Sequence, residues 1–146
     1  MFDIEQAIES VRTGIYTCIL FQENTMIAQK KGSGIRPLLE IYEEYSSQMQ
    51  NGCMVDKITG RAAAFILKQG KIKKIYTCVL SQGAYHLLQE SNIEIYYDVL
   101  TDNILNRLGT SICPLEEAVQ NIPNNQPELA LSAIYNKIAT LQKKSV

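Results

Sequence analysis

"KIKKIYTCVLSQGAYHLLQESNIEIYYDVL", residues 71–100, decides the fold of this chain. Its first part, "KIKKIYTCVL", is rich in β-branched and aromatic residues and predicts a strand. A polar turn follows, and then Ala84, Leu87 and Leu88 share one side of a helix. "IEIYYDVL" is the next strand. Strand, helix and strand in so few residues make a β-α-β unit, for which a parallel, right-handed crossover is expected.

Upstream, Asp3 followed by Gln6 reads as a capping box, and Ile4, Ala7, Ile8 and Val11 recur at helical spacing, so residues 3–12 form an amphipathic helix that Gly14 ends. "IYTCILF" (15–21) and "MIAQK" (26–30) flank a polar turn and predict a hairpin. Pro37 suits the first position of a helix running to about Met49, because its missing N–H would be unpaired there in any case. Cys53, Met54 and Val55 make a short apolar stretch. Asp56 can then cap a helix over about 57–69, in which the small Ala62 and Ala63 allow close packing before Gly70 stops it.

Downstream, a short helix is expected near 101–106, then the loop "RLGTSI", a helix opened by Pro114, the linker "NIPNNQP", and a last helix striped by Leu131, Ile134, Ile138 and Leu141. There is no internal repeat and no low-complexity tract. The 146 residues, 46% hydrophobic and 20% charged, suit one globular domain, with residues 122–146 as a C-terminal linker and helix.

Composition excludes several classes. A formal net charge of −1 gives no global field to steer nucleic acid, so no nucleic-acid partner is expected. Cys18, Cys53, Cys78 and Cys113 form no C-x-x-C pair, and one histidine is all the chain offers to share a metal with them, so no metal and no cofactor are expected. The opening "MFDIEQAIES" lacks the basic and apolar regions of a leader, and no apolar run nears the roughly 20 residues of a membrane span. A cytoplasmic protein with reduced thiols is the expectation.

The order helix, hairpin, helix, strand, helix, strand resembles the cytidine-deaminase-like fold, which implies a three-layer α/β/α domain with a mixed central sheet. In zinc deaminases H-x-E opens one core helix and P-C-x-x-C the next, giving three zinc ligands and a proton-transferring glutamate. Laid over those motifs, "GRAAAFI" puts Gly60 on the histidine and Ala62 on the glutamate, while "SQGAYH" puts Gly83 and His86 on the cysteines. Three of the four positions carry no chemistry, and one histidine does not hold a catalytic zinc. No slip of the alignment restores the set, because Lys57 to Gln82 contains neither histidine nor an acidic residue. "GSGIRPLLE", "VDKITGRAAA" and "NRLGTSICPLEEAV" resemble more closely the DUF1893 family of bacteria and archaea, over about Gly14 to Glu117. That resemblance implies a zinc-less branch of the deaminase-like fold with no established activity.

Two segments carry candidate sites. Asp56, Lys57, Thr59, Gly60 and Arg61 lie where a helix start would expose N–H groups to an anion, with Lys57 or Arg61 adding a charge-assisted bond. Equally, Asp56 is simply a cap, Lys57 is solvated and Gly60 permits packing. In "NRLGTSICPLEE", Asn106, Arg107, Gly109 and Thr110 could grip a phosphate or polar base edge, or only shape a loop. Cys113, just before Pro114, is a weak candidate nucleophile with His86 as its base; the plainer role is a small buried residue, beside a Glu116/Glu117 pair that complements the helix dipole. "KKGSGIR" (30–36) lacks the P-loop frame. Tyr42, Tyr45, Tyr76, Tyr85, Tyr96, Tyr97 and Tyr135 suit a core edge or an interface and show no aromatic-basic alternation of a single-strand platform.

Two functions fit these residues. The first is a metal-free domain binding a small anionic or nucleotide-like ligand in the former deaminase cleft, through Asp56, Lys57, Arg61, Asn106, Arg107 and Thr110. The second is a non-catalytic module for homo-oligomerisation or protein interaction, in which the tyrosines serve interface cores.

Overall fold

The computed structural model describes residues 3–106 and 108–144, so Arg107 lies outside the described residues. The chain opens with α1 (Ile4–Arg12), whose N-terminus carries the expected capping box: the Asp3 carboxylate accepts from the Gln6 N–H, and the Asp3 N–H donates to the Gln6 side chain. The hairpin β1 (Cys18–Gln22) and β2 (Thr25–Lys30) turns through Glu23, and a bulge sits between Leu20 and Phe21. Next comes α2 (Arg36–Met49), started by Pro37 and kinked at Tyr45, where the backbone leaves helical angles.

The sequence reading fails at the following element. β3 runs over Cys53–Thr59, and α3 (Arg61–Gln69) takes Gly60, not Asp56, as its N-cap. Asp56 pairs with Cys18 of β1 on one side, and with Thr77 of the next strand on the other. A residue hydrogen-bonded between two neighbours in a sheet is held there by the ladder, and its local capping preference loses to it. The burial alternation of β3 slips at Lys57 and Ile58, which are both exposed, and this returns Thr59 to the interior just before α3 begins.

β4 (Lys74–Ser81), α4 (Gln82–Glu90) and β5 (Glu94–Thr101) form the expected parallel unit, with the Ser81 hydroxyl capping α4 by accepting from the Ala84 N–H at 3.1 Å. The helix expected near 101–106 is absent: Thr101 closes β5, and Leu105 bridges to Ile112 instead. Asn106 explains why. Its side chain accepts from the Thr110 N–H and donates to the Thr110 and Ser111 hydroxyls, a local network that competes with helix formation. The chain ends with α5 (Pro114–Val119) and α6 (Pro127–Lys144).

The sheet order is β2-β1-β3-β4-β5, with β3 antiparallel to β1 and parallel to β4. One face meets α2, α3 and α4 in the larger core, where Ala62 to Leu67 are buried along α3 and Leu20, Met54, Ile75 and Leu80 supply the strands. α6 packs over α3 and α5, and buries Ala130, Leu131 and Ile134 in that same core. The other face carries α1, whose Ala7 and Val11 cover Ile19, Phe21 and Val55. These are the three layers of an α/β/α fold with a mixed sheet. Among the described residues no helix is long and apolar enough to cross a membrane.

Candidate functional site

The parallel strands β3 and β4 aim their carboxyl ends at the starts of α3 and α4, the position at which open α/β sheets bind ligands. At the start of α3 the first two N–H groups already have an anion. Glu116, from the first turn of α5, accepts from the Arg61 N–H at 2.7 Å with one carboxylate oxygen and from the Ala62 N–H at 2.8 Å with the other. Burial pushes the Glu116 carboxyl up, against the two backbone N–H groups and the Arg61 charge, which favour the ionised form. Gly60 makes room for it: a methyl group there would collide with the Glu116 carboxylate.

Arg61 is held equally firmly. Its guanidinium donates to the carbonyl oxygens of Val119 and Ile122, and to Asn124 Oδ1 at 2.7 Å, while lying 4.8 Å from the Phe65 ring centre. Burial lowers its pKa from the usual value, opposed by the charges of Glu116 and Glu90. Lys68 donates to the Asn124 carbonyl, and the Asn124 amide donates to Glu90, each at 2.7 Å. The stem of Arg61 also lies against Gly83, at 3.3 Å from where a Cβ would stand. The start of α3 is thus a joint, which ties α3, α4, α5 and the linker before α6.

Asp56 lies below, 5% exposed, in the β3 ladder. Its carboxylate accepts from the Lys57 N–H at 2.9 Å, and the Thr59 hydroxyl stands 3.1 Å from Asp56 and 2.8 Å from the Thr77 hydroxyl. Burial raises Asp56 to about 7, because two hydrogen bonds recover only part of the lost hydration. Lys57 is exposed and makes no ion pair among the described residues. Asn106 and Thr110 bond to each other and to Ser111, shaping their own loop. Cys113 is half-buried at the start of α5, its N–H donating to the Ile104 carbonyl at 2.9 Å, and His86 is exposed on α4. No hydrogen bond joins Cys113 to His86 among the described residues.

The two segments singled out in the sequence therefore do meet, but through Glu116. The sequence reading assigned that residue to the dipole of its own helix, and no local pattern announces that it caps a helix 55 residues upstream. A second feature was equally silent: a cavity of about 250 Å³ on the α1 face of the sheet, where Arg12 forks onto Asp98 at 2.8 and 2.9 Å beside the stacked rings of Tyr76 and Tyr96.

The residues do not fit a deaminase zinc. Gly60, Ala62 and Gly83 offer no ligand atom, Glu116 and the Arg61 stem fill the space beside the two glycines, and among the described residues no three His, Cys, Asp or Glu side chains cluster.

In sequence, the model of the TM1506 family, a domain of unknown function (DUF1893), matches residues 6–138. No curated protein matches the chain. Among solved structures, a DUF1893 family protein (TM1506) from Thermotoga maritima is similar over 92% of this chain and 88% of its own, with a TM-score of 0.81 and 25% identity. Acinetobacter baumannii RibD is similar over 66% of this chain and 34% of its own, with a TM-score of 0.51 and 16% identity, a likeness of fold alone that supports the deaminase-like architecture. With its family model covering most of its length, the chain belongs to the DUF1893 family.

Proposed function

We propose that this protein is a metal-free, non-catalytic interaction module, built on a deaminase-like frame whose old cleft has become a structural joint. The observation that carries this reading is the Glu116 carboxylate across the first two N–H groups of α3. A helix start whose first two N–H groups already hold a buried carboxylate has fewer donors left for a substrate anion. The exposed tyrosines of β5, Tyr96 and Tyr97, are the kind of rings that interface cores use.

The second reading, a small anionic or nucleotide-like ligand, is favoured by Lys57, an exposed cation at the carboxyl end of β3 with no ion pair among the described residues. A thermal-shift screen of nucleotides, sugar phosphates and carboxylates separates the two, since a ligand that binds only the folded state raises the melting temperature by mass action. The interaction reading expects no shift. A phosphate-bearing hit that is lost in Lys57→Ala would replace it with the ligand reading.

A further inference from the structure

The two edges of the sheet are treated differently. β2 ends one side, and it carries protective devices: a bulge in its pairing with β1, and Lys30 bridged to Glu44 at 2.8 Å. None of its large apolar side chains is exposed. Bulges and edge lysines are how proteins keep an edge strand from pairing with another chain. β5 ends the other side, over eight residues, "EIYYDVLT", with no Lys, Arg, Pro or Gly. Tyr96, Tyr97, Val99 and Leu100 are between 39% and 54% exposed. Among the described residues no backbone hydrogen bond joins the outer edge of β5 to another segment.

We propose that β5 pairs antiparallel with β5 of a second copy about a two-fold axis at Asp98, joining the two sheets into one. The inference rests on the interaction-module reading and names its partner. In an isologous contact, residue i faces j and j faces i. In an antiparallel pair, facing residues also point to the same side, so the two positions share parity. With the axis at Asp98, Tyr97 faces Val99, Tyr96 faces Leu100 and Ile95 faces Thr101. Aromatic against branched or aliphatic is the favourable class of cross-strand pair. Moving the axis to Tyr97 gains Tyr97 on Tyr97 and Ile95 on Val99, but sets Glu94 against Leu100 and Tyr96 against Asp98, so two of the four exposed apolar side chains are left facing carboxylates.

The charges tolerate that register. Two aspartates facing one another would repel if bare. Each Asp98 instead carries its own Arg12 in a bidentate fork, both side chains being 37% to 48% exposed. With each carboxylate paired to a guanidinium, the like-charge contact at the axis is weaker than between two bare aspartates. At each end Glu94 comes opposite Asp102, and Lys74, 3.3 Å from Glu94, offsets one of those two charges. A second copy therefore satisfies the open edge and covers its apolar side chains.

The experiment is sedimentation of the full chain over a range of concentrations, with Val99→Lys and the β-branched control Val99→Thr, each checked for folding by its melting curve. The expected result is a mass twice the 16.4 kDa of one chain. Val99→Thr should keep the dimer, and Val99→Lys should weaken it at least tenfold. Amide exchange along β5 in the unaltered chain gives an independent reading, with outward-facing N–H groups slowing as concentration rises. An assembly indifferent to Val99→Lys, with β5 amides that do not respond to concentration, overturns the β5 pairing and leaves the interaction reading standing. A monomer at every concentration overturns the pairing; if that monomer also binds a phosphate-bearing ligand, the interaction reading falls with it.

Discussion

The contact between Gly60 and Glu116 can be tested by a double-mutant cycle. Glu116→Ala removes the acceptor from two N–H groups in the first turn of α3. Losing a cap costs about 0.5–2 kcal/mol, and each partly buried donor left unpaired adds about 1–3 kcal/mol. Glu116 is itself destabilised by burial, as its raised pKa shows, so part of that loss is returned and about 2 kcal/mol is expected. Gly60→Ala drives a methyl into the same carboxylate. The Gly60 backbone is extended (φ −94°, ψ −174°), so alanine meets no backbone strain there and the cost is overpacking, about 1–3 kcal/mol, less about 0.4–1 kcal/mol regained from the unfolded chain. In the double mutant the carboxylate is gone and the methyl has space. The two costs should therefore fall short of additivity by about 1–2 kcal/mol, against the roughly 0.3–0.5 kcal/mol scatter of independent sites. Urea unfolding followed by circular dichroism measures all four proteins. Additive costs would refute the placement of Glu116 against Gly60.

Three further outcomes are expected. Asp56 is held at about 7 in the folded protein against a usual 3.8, so the folded state binds the extra proton and stability falls as pH rises through that window. Asp56→Asn should flatten the decline in melting temperature between about pH 4 and 7 and stabilise the protein above pH 7, by up to about 4 kcal/mol from this group; an unchanged pH profile would contradict its burial as a carboxyl group. Arg61→Ala removes the clamp on Val119, Ile122 and Asn124, and should cost about 2–3 kcal/mol while opening the linker at 120–126 to limited proteolysis; a linker cut no faster than before would refute the clamp. Ser81→Ala should cost about 1 kcal/mol through loss of the α4 cap, and no loss would show that the hydroxyl is not the cap.

The fold was legible in the sequence wherever a local signal and a tertiary contact agree. Residues 71–100 read directly as strand, helix and strand because periodicity and burial coincide there, and Asp3 with Gln6 announced the first helix. Asp56 misled because its capping chemistry is real, but its neighbours in the sheet are Cys18 and Thr77, far away in sequence. The helix expected near 101–106 failed because the hydrogen bonds of Asn106 favour a loop. At the candidate site, Gly60 and Gly83 stand out in the sequence as positions without a zinc-ligating side chain. What replaces that chemistry did not, since Glu116 and the clamp on Arg61 act across more than fifty residues and leave no spacing to read.

The most direct test of the closed cleft is amide exchange at Arg61 and Ala62, followed by NMR with and without added phosphate or nucleotide. With Glu116 seated on both N–H groups, they exchange slowly, the protection is lost in Glu116→Ala, and added anions change nothing. Fast exchange in the unaltered protein, or protection that arises only when an anion is supplied, would mean that the start of α3 is an open binding site.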